Sequence, residues 1–437
     1  MAPASLLPQT YPETQFEKAS SLAAPMNRLL DRVASDGDWL TKVLEGSAAS
    51  DPDFTGRLLS LHNKIRKKTG PQSSKARLGV IRSDYMLSNS VIKQIELNTI
   101  ASSFGGLSTR ISKMHAYLIR RFDLDFEGRR QPENDKLIDS LAESLFVAHE
   151  DYLSKNGIES AVIIFVVQEG ESNTSDQNIL EAALYSNHGV RVERRTLQQI
   201  FSEAKTDDYS KILTLNGEDV SVCYFRSGYA PKDYEVETDK AWKAREIMEE
   251  SRSVMCPTLG YQLAGTKKVQ QELERDGGVE RFCEDEEEIR RIREVFAGLW
   301  ALGEGMTKED KKAAAEAMVS PEKFVMKPQR EGGGYNFYGQ QIKEKMEEAG
   351  GAENLDEFIL MERLEPPKQD ATLLRGGRVE GRGPSISELG IFACIYVSED
   401  GEEMVNDYSG YLLRTKFDGV DEGGVASGFA TLSSIVL

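Results

Sequence analysis

Residues 325–339 read VMKPQREGGGYNFYG. The apolar run Phe324, Val325, Met326 reads as a strand that carries Lys327 to its end. Pro328 stops the regular ladder, because proline has no backbone donor. Arg330 and Glu331 follow, and then three consecutive glycines, Gly332, Gly333 and Gly334. Such a run loses much backbone entropy on ordering. It makes sense where main-chain N–H groups must reach a ligand with no Cβ in the way. Successive N–H groups form an anion site, and a lysine beside them adds a point charge for phosphate. Glu331 supplies a hard oxygen suited to a magnesium ion bridging phosphates. The stretch reads as a nucleotide-phosphate loop with its own metal ligand. Taken alone it would also serve as a glycine-rich surface turn flanked by charges. The form GxxxxGK[ST] occurs nowhere in the chain, so this is no P-loop.

Size and composition narrow the classes. The chain has 437 residues, room for two or three domains. It is 39% hydrophobic and 29% charged, an ordinary globular mixture. With a net charge of −18 and no basic stripe, nucleic acid is not expected as a partner. No apolar run is long enough for a membrane span, and MAPASLLPQTYPE at the start has no charged segment leading into an apolar core. No membrane association and no secretory signal are expected. Cys223, Cys256, Cys283 and Cys394 are far apart and form no CxxC pair, which suggests buried thiols in a reducing compartment. The four histidines are scattered, so a zinc site is not expected.

Along the chain, residues 1–75 have helical periodicity. A strand at 78–81 ends in Arg82-Ser83-Asp84-Tyr85, and a second covers 93–100. On that second strand Ile95 and Leu97 share one face, Glu96 and Asn98 the other. A carboxylate and an amide oxygen side by side are plausible hard-metal ligands, and are equally at home on an exposed polar face. Residues 101–110 read as a small-residue turn. Ala161–Val167 is continuously apolar, as a strand covered on both faces would be. It begins a strand–helix–strand–helix–strand pattern from about 158 to 265, a small parallel α/β unit. The polar loops 168–177 and 226–229 fall at strand carboxyl ends, where such sheets bind ligands. Residues 238–255 read as helix. Lys267 and Lys327 read as two cationic strand ends. Phe358–Glu362 is an apolar strand whose end could line an adenine pocket, or simply a core strand. Residues 374–384 read as a mobile hairpin or loop. Arg414 and Lys416 end a strand beside the small-residue loop 423–428. No reactive nucleophile stands out. The set suits phosphoryl transfer, in which positioning and electrostatics carry the reaction. The residues by themselves reach a magnesium-dependent, nucleotide-using α/β enzyme.

The motifs carry the reading further. RSDY (82–85), QIELNT with SFGGL (94–107), the loop 171–177 ending in Asp-Gln, YFRSGY (224–229), QLAGTKKVQQEL (262–273), KPQREGGG (327–334), ILME (359–362), SELGIF (387–392), and LLRTK with EGGVASG (412–428) stand in this order. In that order they resemble the eukaryotic-type glutathione synthetases, over nearly the whole length. The resemblance implies a fold of α/β (α+β) class, an ATP-grasp fold with an inserted parallel α/β substrate-binding domain and a mobile lid. The catalytic body would be 1–157 and 266–437, with the lid at about 300–385, and the substrate-binding domain 158–265. It implies ATP- and Mg-dependent ligation of glycine to γ-glutamylcysteine through an acyl phosphate, in a cytoplasmic homodimer, with two Mg2+ ions and with ATP as co-substrate.

Roles follow from the same resemblance. Glu96, Asn98 and Glu331 match the magnesium ligands, Glu96 also lying beside the nucleotide. Lys267, Lys327, Gly332, Gly333, Gly334, Asn336, Tyr338, Met361, Glu362, Glu388, Lys416 and Glu422 match ATP-binding positions. Arg82, Ser102, Ser103, Glu171, Asn173, Gln177, Arg226 and Tyr229 match the γ-glutamylcysteine pocket, and Arg414, Val425 and Ala426 the contacts near the glycine end. Arg82, Arg414, Gly332 and Gly333 are the catalytic candidates. The stretches 332–340 and 376–383 would close over the site and exclude water. Three residues depart from the family pattern: Tyr335 stands in place of Asn, Ala101 in place of Ser, and Ser172 in place of Arg. Two alternatives remain open, a homoglutathione-type ligase using another amine and a non-catalytic binding member. Relatives of the first kind carry a bulkier Leu-Pro where this chain has Ala426-Ser427, which favours glycine.

Overall fold

The computed structural model describes residues 2–234, 239–329 and 335–437. Among these residues the largest sheet has 13 strands. Its middle strand, Arg77–Ser88, pairs antiparallel with Arg378–Val397 on one side and parallel with Val254–Cys256 on the other. Outward from Val254–Cys256 run Glu218–Phe225, Val162–Val166 and Val192–Arg195, all parallel. Outward from Arg378–Val397 run Glu403–Phe417, Thr431–Ser433, Ala4–Ser5 and Gln369–Arg375. Along this path the sheet is parallel on one side and mostly antiparallel on the other, where only Ala4–Ser5 and Thr431–Ser433 pair parallel, and the α/β unit expected at 158–265 continues the same ladder.

The apolar run at 162–166 is buried throughout because both faces are covered. Ile163 and Phe165 point into a core with Leu141, Leu145 and Leu180, from helices Leu137–Asn156 and Thr174–His188. Val162, Ile164 and Val166 join the opposite core with Ile200, Ala244 and Met248. The N-terminal helices, among them Ala23–Ser35 and Thr55–Thr69, cover that second face, as the helical periodicity predicts.

A smaller antiparallel sheet is made of Leu299–Ala301, Phe358–Glu362, Phe324–Pro328 and Phe337–Tyr338. Helices Lys308–Val319 and Gln340–Glu348 cover it through a separate core of Ala317, Met326, Ile342, Met346 and Leu360. This lobe faces the antiparallel half of the main sheet across a cleft.

Several local expectations are corrected. Residues 82–85 lie inside the strand Arg77–Ser88, because the charges at 82 and 84 neutralise each other on one face. Helix Gly105–Arg121 begins inside the presumed turn 101–110. The small residues there serve close packing: a Cβ on Gly106 would meet Ile179 at 2.9 Å. Val254–Cys256 is a buried strand, where helix was expected through 255. Of the two readings of residues 374–384, hairpin or loop, the hairpin is the one found, with Arg375 facing Arg378. Gly376 and Gly377, with φ of 56° and 77°, supply the two positive angles that a tight two-residue hairpin turn demands. Among the described residues no helix is long and apolar enough to cross a membrane.

Candidate functional site

Four adjacent strands present one polar face at the floor of the cleft. Arg82 pairs in register with Asn98, and Asp84 with Glu96. Glu388 pairs with Arg414, and Gly390 with Asp84. Residues two apart share a strand face, so Arg82 and Asp84, Glu96 and Asn98, Glu388 and Gly390, and Arg414 and Lys416 project together. Arg82 donates from Nε and Nη2 to the two Asp84 oxygens at 2.7 and 2.8 Å. Arg414 Nη2 donates to Asp84 Oδ2 at 2.9 Å and lies 2.8 Å from Glu388 Oε2. Lys416 Nζ is 3.5 Å from Glu388 Oε1 and donates to the Asp421 carbonyl at 2.7 Å.

Two lysines reach this floor from other elements. Lys327, at the end of the strand Phe324–Pro328, donates to the Ile95 carbonyl at 3.1 Å. Lys267 lies 3.9 Å from Glu96 Oε2. The sequence places it at a strand end, whereas in the fold it opens the helix Lys267–Glu274 after Thr266. A cation in the first turn opposes the helix dipole, and a phosphate between the lysines would offset that cost. Asn98 Nδ2 donates to Asp84 Oδ2 at 3.0 Å and to Glu96 Oε1 at 3.3 Å. Its amide nitrogen is committed inward, leaving Oδ1 and the Glu96 carboxylate as neighbouring hard donors. Such a pair fits a magnesium ion, which takes one or two protein oxygens and completes its shell with phosphate and water. Among the described residues no group of three metal-binding side chains occurs. The third expected ligand, Glu331, lies outside the described residues, as do Gly332, Gly333 and Gly334.

The electrostatics follow from this crowding. Burial pushes the Glu96 carboxyl up, but Lys267, then Lys327, Arg414 and Arg82, outweigh it and hold the group well below the ordinary value. Burial likewise raises Glu388, while Arg414 and Lys416 bring it net below. Burial lowers Lys327, with Glu96 opposing. Arg82, Arg414, Lys267, Lys327 and Lys416 face Glu96, Glu388 and Glu422 in one cleft of about 1020 Å³, with Asp84 fully buried beside the two arginines.

The adjoining wall is built from the loops that follow parallel strands. Arg226 donates from Nη1 to the Ser102 carbonyl at 2.7 Å and from Nη2 to Ser103 Oγ at 2.5 Å. Its buried Nε has no hydrogen-bond partner. Ser102 Oγ donates to the Asn98 carbonyl at 3.1 Å, tying this loop to the candidate metal ligands. Glu171 Oε1 accepts the Asn173 N–H at 2.6 Å. Gln177 stands behind the wall and donates to Glu171 Oε2 at 3.0 Å. Asp233 accepts the N–H groups of Gly228, Tyr229 and Ala230 at 2.9 to 3.1 Å and fixes the Tyr229 turn.

The opposite wall belongs to the smaller lobe. Met361 is buried with Leu299, Ile359 and Leu364, and Met86 and Ile95 pack against them. Glu362 Oε2 accepts the Gly298 N–H at 3.1 Å. Asn336 Nδ2 donates to Tyr338 Oη at 3.2 Å and to Glu422 Oε1 at 3.4 Å. Arg363 pairs with Asp421 at 2.9 Å, joining this lobe to the loop that leads to Val425 and Ala426, which line the same cleft. Gly423 passes so close to Glu388 that a Cβ there would overlap its carboxylate, with Oε2 at 2.8 Å.

Every expected site residue within the described chain lines this cleft except Gln177. Two carboxylates were missed. Asp84 was legible in RSDY itself, since Arg and Asp two apart on a strand must share a face. Asp176 is 6% exposed and accepts the Phe104 and Leu107 N–H groups at 2.7 and 3.0 Å, capping helix Gly105–Arg121 from another element. No local signal reveals such a cap. The four cysteines are buried away from this chemistry.

Lysines from two lobes, a paired hard-oxygen site and two arginines sharing one carboxylate define the class of ATP-grasp carboxylate–amine ligases. The family model described as "Eukaryotic glutathione synthase, ATP binding domain" matches residues 1–437. The chain is 42% identical to the chloroplastic glutathione synthetase of Solanum lycopersicum, covering 100% of this chain and 78% of the relative. It is 39% identical to glutathione synthetase from Xenopus laevis and 37% to that from Homo sapiens, each covering 99% of this chain and 89% of the relative. In fold it matches the apo structure of a glutathione synthetase-like effector from Globodera pallida, with a TM-score of 0.75 at 21% identity, covering 100% of this chain and 90% of that one. The chain belongs to the eukaryotic glutathione synthetase family, ATP-using ligases of glutathione biosynthesis.

Proposed function

We propose that this chain joins glycine to γ-glutamylcysteine, converting ATP to ADP and phosphate. The observation that carries this reading is the convergence of Arg82 and Arg414 on Asp84, beside the Glu96–Asn98 pair and within reach of Lys267 and Lys327. In this reading Arg82 and Arg414 hold the cysteinyl carboxylate. Lys267, Lys327 and Lys416 bind the nucleotide phosphates, with the Met361 wall against the base and Glu388 and Glu422 ordering the cations. Glu96 and Asn98, with Glu331 as the family resemblance implies, would hold a magnesium ion, and that ion would supply charge neutralisation for the phosphates. The carboxylate oxygen takes the γ-phosphoryl group, giving an acyl phosphate and ADP. The glycine amine then attacks the carbonyl carbon, the C–O bond to phosphate breaks, and the nitrogen loses a proton. Arg82 and Arg414 offset charge on the transferred oxygens. Ser102, Ser103, Glu171, Asn173, Arg226 and Tyr229 bind the γ-glutamyl end, with Gln177 bracing Glu171. Val425 and Ala426 leave a small space for glycine.

On the same reading, 158–265 recognises γ-glutamylcysteine, while 1–157 and 266–437 form the catalytic body with a lid at about 300–385. Two magnesium ions, a homodimer and a cytoplasmic home complete it; the four free, buried thiols suit a reducing compartment. The test is magnesium-dependent ADP release with γ-glutamylcysteine, with and without glycine, then with β-alanine. Release with glycine and a product of tripeptide mass is expected. ATP binding without turnover on either amine would sink the reading.

A further inference from the structure

Asp84 touches no substrate in the reaction above, yet it sits where the arginines meet. None of its surface is exposed. Both of its oxygens are used, Oδ1 by Arg82 Nε, and Oδ2 by Arg82 Nη2, Arg414 Nη2 and Asn98 Nδ2, at 2.7 to 3.0 Å. We propose that Asp84 is the positioning residue of the ligase site, aiming Arg82 and Arg414 together at the substrate carboxylate, and that Gly390 is glycine in order to admit the Arg82–Asp84 pair.

Three observations carry this. The bidentate pair uses the Nε–Nη2 edge of Arg82, a residue that lines the cleft, and the remaining Nη1 donates to the Ser103 carbonyl at 3.3 Å. A planar guanidinium held by one edge presents the other in a fixed direction. Secondly, Arg414 is held from both sides by Asp84 and Glu388 through Nη2, while its buried Nε has no hydrogen-bond partner. Two guanidiniums this close repel, and the carboxylate between them allows both to face one anion. Thirdly, Gly390 lies opposite Asp84 on the next strand. A Cβ there would stand 2.8 Å from Asp84 Oδ1 and 2.9 Å from Arg82 Cδ. Gly390 is not among the glycines with positive φ, so it is needed for space rather than for backbone freedom.

The inference rests on the ligase reading, and the experiment separates the two. Asp84→Asn keeps the volume and an oxygen for Asn98 but removes the charge. Its KM for γ-glutamylcysteine is expected to rise about 10- to 100-fold, the order that follows loss of a charge-assisted pairing. The KM for ATP should stay within about threefold, because the phosphate lysines do not touch Asp84. Gly390→Ala should shift the same constant in the same direction. If Asp84→Asn does not fold, Gly390→Ala alone decides. Unchanged γ-glutamylcysteine KM in the folded variants, or an ATP KM that rises in step with it, would overturn the inference. A wild-type chain without turnover would instead overturn the ligase reading.

Discussion

Asp176→Ala tests whether one carboxylate organises the substrate wall from a distance. Asp176 lies in helix Thr174–His188, yet it caps helix Gly105–Arg121, whose own N-terminal residue, Phe104, makes no side-chain cap. Removing the carboxylate strands two N–H donors, at Phe104 and Leu107. Each orphaned donor costs about 1–3 kcal/mol, and the lost charge at the helix N-terminus costs about 0.3–1 kcal/mol more. Both donors are only partly buried, so the low end of these ranges applies, about 3 kcal/mol in all. At about 2.1 cal/mol/K per residue, a chain of 437 residues unfolds with an entropy of about 0.9 kcal/mol/K. Tm should fall by about 3 °C. Asp176→Asn, which keeps one acceptor, should fall by about 1 °C. Because Ser102 and Ser103 precede the capped turn, KM for γ-glutamylcysteine should rise while that for ATP stays put. Differential scanning calorimetry and initial-rate kinetics on the two variants read both effects. A Tm for Asp176→Ala within about 1 °C of wild type, with unchanged KM, would refute the reasoning.

Other outcomes follow from the same geometry. Lys327→Met should lower kcat about 10²- to 10³-fold while the protein stays folded, as loss of one charge stabiliser does elsewhere; stopped ADP release with retained circular dichroism is the check. Gly423→Ala should cost about 10- to 100-fold in kcat/KM for ATP, read by initial rates, since its Cβ would displace the Glu388 carboxylate. Burial, with Arg66 second, lowers His62 to about 4, below its ordinary value of 6.5. The unfolded chain therefore binds the proton first. This group's contribution is fully present above pH 6.5 and is lost as pH falls toward 4, at about 1.4 kcal/mol per unit. His62→Leu should lessen the drop in Tm between pH 7 and 5 by about 2 °C, measured by thermal scans at both values.

Much of the site was legible along the chain. Glu96 and Asn98 declare a shared face through the two-residue period, Lys327 through its place at the end of an apolar strand, and Arg226 and Tyr229 through their place after a buried parallel strand. These signals are local, because strand period, turn chemistry and backbone freedom act over a few residues. Local reading erred where a tertiary partner overrode propensity. Arg82 and Asp84 looked like the end of a strand until an ion pair made them its interior, and Val254–Cys256 looked helical until a slot between two strands claimed it.

The sequence by itself determined the family, the order of its motifs and the kinds of groups available for phosphate and metal. Only the tertiary structure decided which groups meet. Asp84 and Arg414 are 330 residues apart, and Asp176 caps a helix whose first bonded N–H lies 72 residues away. Such contacts are set by the register between strands and the seating of helices. Register is a sum over an entire buried sheet, and no single segment holds the information that specifies it.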